Sequence, residues 1–419
     1  PTRRSSDLVT AVLTPQSSGK PISGKGFGGA ESLSSTPEKP VPLPDWAERA
    51  LAKLNIPTST VNPEVSTLAN GIKLIVQPED VSGTVSVYGR IANRAPMQEG
   101  KGKDGVSQVL DGLFEYGSTS LDRLAFQKAL DDIAADEKAG IEFSVQAPAQ
   151  DFERAVQLLA GNELHPALPA PAFKVVQSQT AHFLAGNLSS PEYLFQRAYI
   201  KGLVPEGDPS LREATPDSVM GLSLDDVQSY YAEAFRPDLT SIVVIGKVTP
   251  AEARRVVEKY FGAWAAKGPR PQTDLPAIPL NKASQALVPD QSSVQDQVVL
   301  IQSLGSDLFN PERYALEVGN QVLGGGFYAS RLSRDLREKA GLVYTVNSQF
   351  QWGRTRAYYQ VSYGCDPGKV SKARTLVLND LASMQSAPIS ATELARAQAT
   401  LLRRSEEHTS ELQSRHNLG

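Results

Sequence analysis

The stretch LGGGFYASRLSRDLREKAGLVYTVNS, from Leu323 to Ser348, decides how the second half of this chain is interpreted. Its three consecutive glycines predict a turn with a backbone freedom that no other residue type supplies. Ser330 is placed to cap a helix that carries Leu332 and Leu336 on one face. Gly341 is expected to end that helix.

The residues after Gly341 predict a strand, because apolar and polar side chains alternate there. Simple alternation would place two sets of residues on opposite faces, namely Leu342, Tyr344 and Val346 against Val343, Thr345 and Asn347. Arg337 in the last helical turn and Tyr344 would then flank a helix-to-strand corner. By themselves, Arg337 could offset the helix dipole and Tyr344 could be an ordinary half-buried strand residue.

The whole stretch, including its glycines and its RLxxxLRE run, resembles the C-terminal-domain signature of the insulinase/pitrilysin superfamily of zinc peptidases. That superfamily includes the mitochondrial processing peptidases and the core subunits of respiratory complexes. In it, an Arg and a Tyr at this spacing reach across a closed chamber and hold the substrate carbonyl beside a zinc ion bound elsewhere. Arg337 and Tyr344 match them, so the resemblance implies that both residues bind substrate.

Composition limits the classes of partner. The 419 residues carry a formal net charge of −4, with 21% charged residues and no polybasic run, so nucleic acid and anionic membrane are poor candidates. No run approaches the roughly 18 apolar residues of a membrane span.

The single cysteine, Cys365, cannot form an internal disulfide. A periplasmic or other bacterial extracytoplasmic location is favoured, and the cytoplasm stays open.

Strand and helix patterns predict an α+β fold built from two tandem, duplicated insulinase-like units, each with a mixed or antiparallel sheet packed with helices. The first unit is expected over residues 63–265 and the second, cut short, over 291–403. A Pro-rich linker at 266–290 would join them. Residues 9–62, rich in Ser, Gly and Pro, are predicted to be a linker between two halves of a longer protein, with a short helix from Pro44 to Leu54.

Both ends of the chain differ from the rest. Residues 1–8 and 404–419 resemble translated sequencing-adapter read-through, and we exclude them from the fold prediction. Such ends lead us to expect that the chain is a fragment of a longer one.

The zinc motif of the superfamily is degenerate here. In the resembled peptidases, a helix after the second strand carries H-x-x-E-H, with a further Glu ligand downstream. The matching run is GVSQVLDGLFEYG, and its three motif positions hold Gln108, Asp111 and Gly112. No carboxylate lies between Glu163 and Glu192, where the downstream Glu is expected. We therefore expect no metal or other cofactor on this chain and no catalytic residue in it.

The resemblance then implies the non-catalytic C-terminal half of a zinc metalloendopeptidase. Its partner would be a zinc-bearing N-terminal half or subunit, and its substrate a peptide or unfolded polypeptide. In that pair, the zinc and a Glu of the other half would activate water. Two alternatives stay open: a non-proteolytic structural or assembly subunit of the same fold, and a separate regulatory partner of a zinc-bearing subunit.

Overall fold

The structure is a computed structural model that describes residues 45–46, 61–290 and 293–414, with side chains described as far as 402. The predicted helix from Pro44 to Leu54 lies outside these residues except for Asp45 and Trp46. Residues 1–8 and most of the predicted linker 9–62 lie outside them as well.

Among the described residues, the first sheet is built from six strands. They are Glu64–Thr67 (β1), Lys73–Pro78 (β2), Thr84–Ile91 (β3), Asp136–Lys138 (β4), Glu142–Pro148 (β5) and Thr240–Gly246 (β6). Their order in the sheet is β1-β2-β6-β3-β5-β4. β2 and β6 run parallel and the other neighbours are antiparallel, so the sheet is mixed.

Helices cover this sheet and account for most of the chain between β5 and β6. They are Ala95–Gln98 (α1), Val106–Leu113 (α2), Arg123–Asp131 (α3), Phe152–Leu164 (α4), Ala170–Asn187 (α5), Pro191–Leu203 (α6), Pro216–Met220 (α7), Leu224–Ala234 (α8) and Pro250–Phe261 (α9). Short 3₁₀ turns lie at Phe114–Tyr116, Ala149–Asp151, Pro209–Leu211 and Pro237–Leu239. One large apolar core forms where α2, α4 and α9 pack on β3, β5 and β6.

In the part of the chain that the structure describes, the second sheet has three antiparallel strands in the order β7-β9-β8. They are Asp296–Leu304 (β7), Val343–Trp352 (β8) and Ala357–Cys365 (β9). The helices of this part are Arg313–Asn320 (α10), Ser333–Lys339 (the corner helix), Val370–Ser386 (α11) and Ala391–Ser414 (α12), with short helical turns at Gln321–Gly325, Phe327–Ala329 and Pro367–Lys369. Its smaller core is built around Leu332, Leu336 and Val377.

The order of elements repeats along the chain. From β3, the first unit runs strand, α1, α2, α3, β4, β5, α4 and α5; from β7, the second runs strand, α10, corner helix, β8, β9, α11 and α12, so that only the short α1 has no counterpart among the described residues. The predicted α+β fold with a duplicated unit is confirmed. The proposed boundaries at 63–265, 266–290 and 291–403 stay predictions.

Two helices each expose a leucine. Leu124 of α3 is 82% exposed, whereas Phe126 and Leu130 of the same helix are buried. In the second unit Leu378 of α11 is likewise exposed. In both helices the buried stripe is rotated toward neighbours that lie far away in sequence, and local apolar spacing cannot locate such neighbours.

A buried ion pair joins the two units. The Arg356 guanidinium donates to both carboxylate oxygens of Asp208, at 3.2 Å and 3.1 Å, and also to the carbonyl of Pro276. The two side chains are only 10% and 3% exposed. Although burial opposes ionisation of Asp208, the hydrogen bonds from Arg356 and Ser210 lower its pKa. The pair therefore holds the β8–β9 turn against the loop after α6.

Asp208→Ala should destabilise the chain by about 3–5 kcal/mol, because it leaves the Arg356 charge buried without its partner. Asp274→Ala is the matched control, since Asp274 pairs with Arg354 at 3.2 Å in a more exposed setting, and there the loss should be below about 1 kcal/mol. Urea unfolding measures both. Equal losses would show that the Asp208 pair is no stronger than a surface contact.

Candidate functional site

The corner helix begins as predicted. Ser330 has an extended backbone, and its Oγ accepts the N–H of Ser333 at 3.3 Å. Leu332 and Leu336 are fully buried against the second sheet. The helix is wound in π turns from Ser333 to Lys339, a rare winding that occurs most often near functional sites.

The three glycines before this helix serve a purpose that the sequence did not indicate. None of them adopts positive φ. Instead, a Cβ on Gly324 would lie 2.3 Å from Ser348 Oγ and 2.7 Å from Leu332 Cδ1. The predicted flexible turn is therefore wrong: Gly324 allows close packing between the π-helical turn Gln321–Gly325, the corner helix and β8.

A buried polar network fixes this turn to the sheet. Asn320 Nδ2 donates to the Ser348 carbonyl at 2.9 Å, and Ser348 Oγ donates to Asn320 Oδ1 at 2.7 Å. The Tyr359 hydroxyl donates to the same Asn320 oxygen at 3.0 Å. With its partners satisfied, the amide links α10, β8 and β9 and limits the movement of the glycine turn.

The end of the corner helix sets the direction of the chain toward Tyr344. Gly341 adopts left-handed φ (+57°), and its N–H donates to the Arg337 carbonyl at 3.1 Å. The next N–H, of Leu342, donates to the Leu336 carbonyl at 2.9 Å. Gly341 ends the helix as predicted, because only glycine adopts this conformation without strain.

The predicted alternation at the start of β8 is wrong, because the strand contains a bulge. Val343 lies opposite Cys365 and Val346 lies opposite Tyr363, which leaves one extra residue on β8. Val343 and Val346 are both buried, whereas Tyr344 and Thr345 are both exposed. The bulge therefore turns the Tyr344 side chain, which is 71% exposed, away from the core.

Arg337 is held by an aromatic ring that sequence reasoning did not identify. Its guanidinium carbon lies 4.4 Å from the ring centroid of Tyr328, which is within the range of a cation–π contact. Tyr328 in turn contacts Phe327 edge-on, with centroids 4.1 Å apart. Phe327 has positive φ (+48°), unusual for a bulky residue. One feature of the sequence could have indicated Phe327 and Tyr328: they are two adjacent aromatic residues directly after the glycines.

Phe327, Tyr328 and Tyr344 all have more than half of their surface exposed, and Arg337 is half-buried. The corner thus presents a guanidinium, a phenol and two rings to solvent. Such a surface can donate hydrogen bonds to a carbonyl oxygen and can pack against apolar side chains.

Charged residues join the corner helix to α11 and α12. Arg331 donates to both carboxylate oxygens of Glu393 on α12, at 2.8 Å and 2.9 Å. Asp335 pairs with Arg334 at 3.0 Å and with Lys339 at 2.8 Å. Burial and the neighbouring carboxylate of Asp335 raise the pKa of Asp380 on α11 to about 6. This network ties the helix that carries Arg337 to α11 and α12.

The degenerate metal positions lie on α2, in the first unit. Gln108 and Asp111 are exposed. Gly112 packs on α5, where a Cβ would lie 2.7 Å from Val176 Cγ1. Zinc requires about three N, S or carboxylate ligands, and the described residues contain no group of three His, Cys, Asp or Glu side chains able to hold a metal. A zinc ion does not fit these positions.

Comparisons with known proteins show which family this chain resembles. Residues 221–401 match the family model described as the peptidase M16 inactive domain. The chain is 23% identical over 356 residues to an uncharacterized zinc protease of Mycobacterium leprae, covering 80% of this chain and 76% of that protein. The resemblance to insulinase-type zinc peptidases is confirmed.

Solved structures show the same fold. One is a peptidase M16 inactive domain from Pseudomonas fluorescens, with TM-score 0.71 and 21% identity, covering 81% of this chain and 83% of that one. Another is the periplasmic protease PqqL from Escherichia coli, with TM-score 0.66 and 16% identity. The match covers 84% of this chain and 41% of that longer protein.

Among the described residues, no helix has the length and apolar character to cross a membrane.

The neighbouring carboxylates of Asp335 and Asp380 predict that the stability of the chain depends on pH. The folded-state pKa of Asp380, about 6, lies above its ordinary value, so the wild type loses stability as the pH rises from about 4 through 6. Asp380→Asn cannot ionise. Relative to wild type, it should gain on the order of 1 kcal/mol between pH 4.5 and 7.5, since Asp380 is only partly buried and water screens the repulsion.

Urea unfolding at both pH values checks this, with Asp366→Asn as the control, because Asp366 forms an exposed pair with Lys369 at 2.8 Å. The prediction fails if the stability difference between Asp380→Asn and wild type is the same at both pH values.

We also expect the purified chain to hold no stoichiometric zinc, because α2 lacks both imidazole ligands. Elemental analysis after dialysis measures the metal content. About one zinc per chain, lost in Asp111→Ala and kept in the surface variant Asp131→Ala, would contradict this expectation and assign the metal to α2.

Proposed function

We propose that this chain is the non-catalytic half of an M16-type zinc metalloendopeptidase, and that Arg337 and Tyr344 bind the carbonyl group of a peptide substrate. The observation that carries the proposal is the solvent-facing corner itself, in a chain whose first unit lacks the ligands for zinc. The match to an inactive M16 domain supports the same assignment.

The structure of the corner suits carbonyl recognition. The guanidinium of Arg337 presents planar N–H donors, and the phenol of Tyr344 offers one O–H donor. The Tyr328 ring restricts the Arg337 side chain, which lowers the entropy that binding would cost. The bulge turns the Tyr344 ring outward without any loss of core packing, because Val343 and Val346 fill the inward positions.

The roles of the two halves follow from the groups that each half carries. In the complete enzyme, a zinc ion on the other half would supply the activated water. This chain would orient the peptide and donate hydrogen bonds that strengthen as negative charge develops on the carbonyl oxygen. Its first unit would form part of the wall that encloses the substrate.

Reconstitution with a zinc-bearing M16 half from the same genome tests the proposal, with hydrolysis of a quenched fluorescent peptide as the readout. Tyr344→Phe keeps the ring and removes one donor, so it should lower kcat by about 10²-fold with little change in KM. Arg337→Lys should also lower kcat, because an ammonium does not reproduce the planar fork.

The matched controls are Tyr314→Phe and Arg313→Lys, a second Arg–Tyr pair with 4.9 Å between guanidinium and ring centroid. These variants lie on α10 and should leave kcat unchanged. If the corner variants also keep full turnover and stability, the corner is ordinary packing and a structural subunit becomes the better assignment. Failure of the wild-type chain to activate the zinc half would reject the proposal as a whole.

A further inference from the structure

Three arginines lie on or beside the corner helix, and Arg337 differs from the other two. Arg331 and Arg334 each donate to both oxygens of a neighbouring carboxylate, at distances from 2.8 Å to 3.0 Å. No side chain or carbonyl that the structure describes forms a hydrogen bond or an ion pair with the Arg337 guanidinium. That guanidinium lies over the face of the Tyr328 ring instead.

A carboxylate and an aromatic ring hold a guanidinium in different ways. A carboxylate takes up two of the five N–H donors and fixes their directions. A ring face attracts the positive charge through its π electrons and does not require those donors. The contact with Tyr328 therefore restricts where the Arg337 guanidinium lies and leaves its N–H donors available to a bound group.

The turn that carries Tyr328 is held in an unfavourable conformation. Phe327 has a φ of +48°, which costs free energy for a residue with a bulky side chain. The Oγ and the N–H of Ser330 both donate to the Phe327 carbonyl, at 2.7 Å and 3.2 Å. The Phe327 ring also contacts Tyr328 edge-on, with centroids 4.1 Å apart. These contacts fix the Tyr328 ring independently of Arg337.

Core packing does not account for this strained turn. Tyr328 is 52% exposed, and neither it nor Phe327 belongs to the apolar core of the second unit. Strained residues persist where their surroundings over-determine them, and they cluster at binding and catalytic sites. The contact that this turn secures is the one between Tyr328 and Arg337.

We propose that Tyr328 is a positioning residue, which holds the Arg337 guanidinium at the corner and keeps its N–H donors free for the substrate carbonyl. This role rests on the proposed function, in which Arg337 binds that carbonyl. A carboxylate at position 328 would bind Arg337 more strongly, but it would compete with the carbonyl for the same donors. Tighter binding of Arg337 by residue 328 should therefore lower turnover, and so should the loss of the ring.

The contact is tested first in the whole chain without a partner, by NMR of isotope-labelled arginine side chains. Arg337→Lys identifies the Arg337 signals. The ring should shift these signals upfield in the wild type, and Tyr328→Leu should remove the shift, whereas Tyr328→Phe should retain it. Tyr314→Leu is the matched control, because the Tyr314 ring contacts Arg313 at 4.9 Å on a different helix. It should leave the Arg337 signals unchanged.

Turnover of the same variants is then measured with the zinc-bearing half and the quenched fluorescent peptide. Tyr328→Leu should lower kcat about fivefold with little change in KM, as expected for one partly exposed cation–π contact. Tyr328→Phe, which keeps the ring, should restore kcat. Tyr328→Glu should lower kcat more than Tyr328→Leu does, although thermal unfolding should show it to be at least as stable. A merely structural role would instead make turnover follow stability.

Three results would overturn this role for Tyr328. In the first, the Arg337 signals are the same in wild type and in Tyr328→Leu. In the second, Tyr328→Phe loses as much turnover as Tyr328→Leu. In the third, Arg337→Lys loses turnover but Tyr328→Leu or Tyr328→Glu keeps it, which leaves the proposed function intact. If Arg337→Lys itself keeps full turnover, the proposed function fails, and the ring then supports the corner without a part in catalysis.

Discussion

The buried pair between Arg356 and Asp208 is the constraint on which the relative placement of the two units depends. Arg356 lies at the turn between β8 and β9, and Asp208 lies in the loop after α6. Removing both charges from water costs free energy. The bidentate hydrogen bonds and the Pro276 carbonyl offset this cost only when the two units lie in the observed arrangement. The linker passes at the same point, since Thr355 Oγ1 donates to the Leu275 carbonyl at 2.5 Å.

The fixed end of this hairpin is remote from the corner. β8 has ten residues, so its two ends are about 30 Å apart. Tyr344 lies at the end that the ion pair does not hold, and the corner is supported there by other interactions: the Asn320 network, the bond between Arg331 and Glu393, and the packing of Leu336. The site is thus supported independently of the junction between units, and damage to the junction should leave the local geometry of the corner largely unchanged.

Much of the fold follows from local patterns, and the failures have identifiable causes. Leu332 and Leu336, the Ser330 cap and the Gly341 stop were all predicted, because helix spacing and capping involve residues close in sequence. The faces of β8 were not, because the bulge is defined by the pairing with Tyr363 and Cys365, about 20 residues away in sequence. The ring under Arg337 was missed for a similar reason. Sequence spacing does not show that the turn after Gly326 brings Tyr328 back onto the helix.

The bulge in β8 changes what the spacing between Arg337 and Tyr344 means. They are seven positions apart, and in a regular strand with Val346 buried the same count would direct the phenol into the core. A search for related chains by this spacing alone would therefore group proteins whose tyrosines point in opposite directions. The discriminating criterion is the spacing of the buried residues on either side of the tyrosine, which here are Val343 and Val346, three positions apart where a regular strand has two.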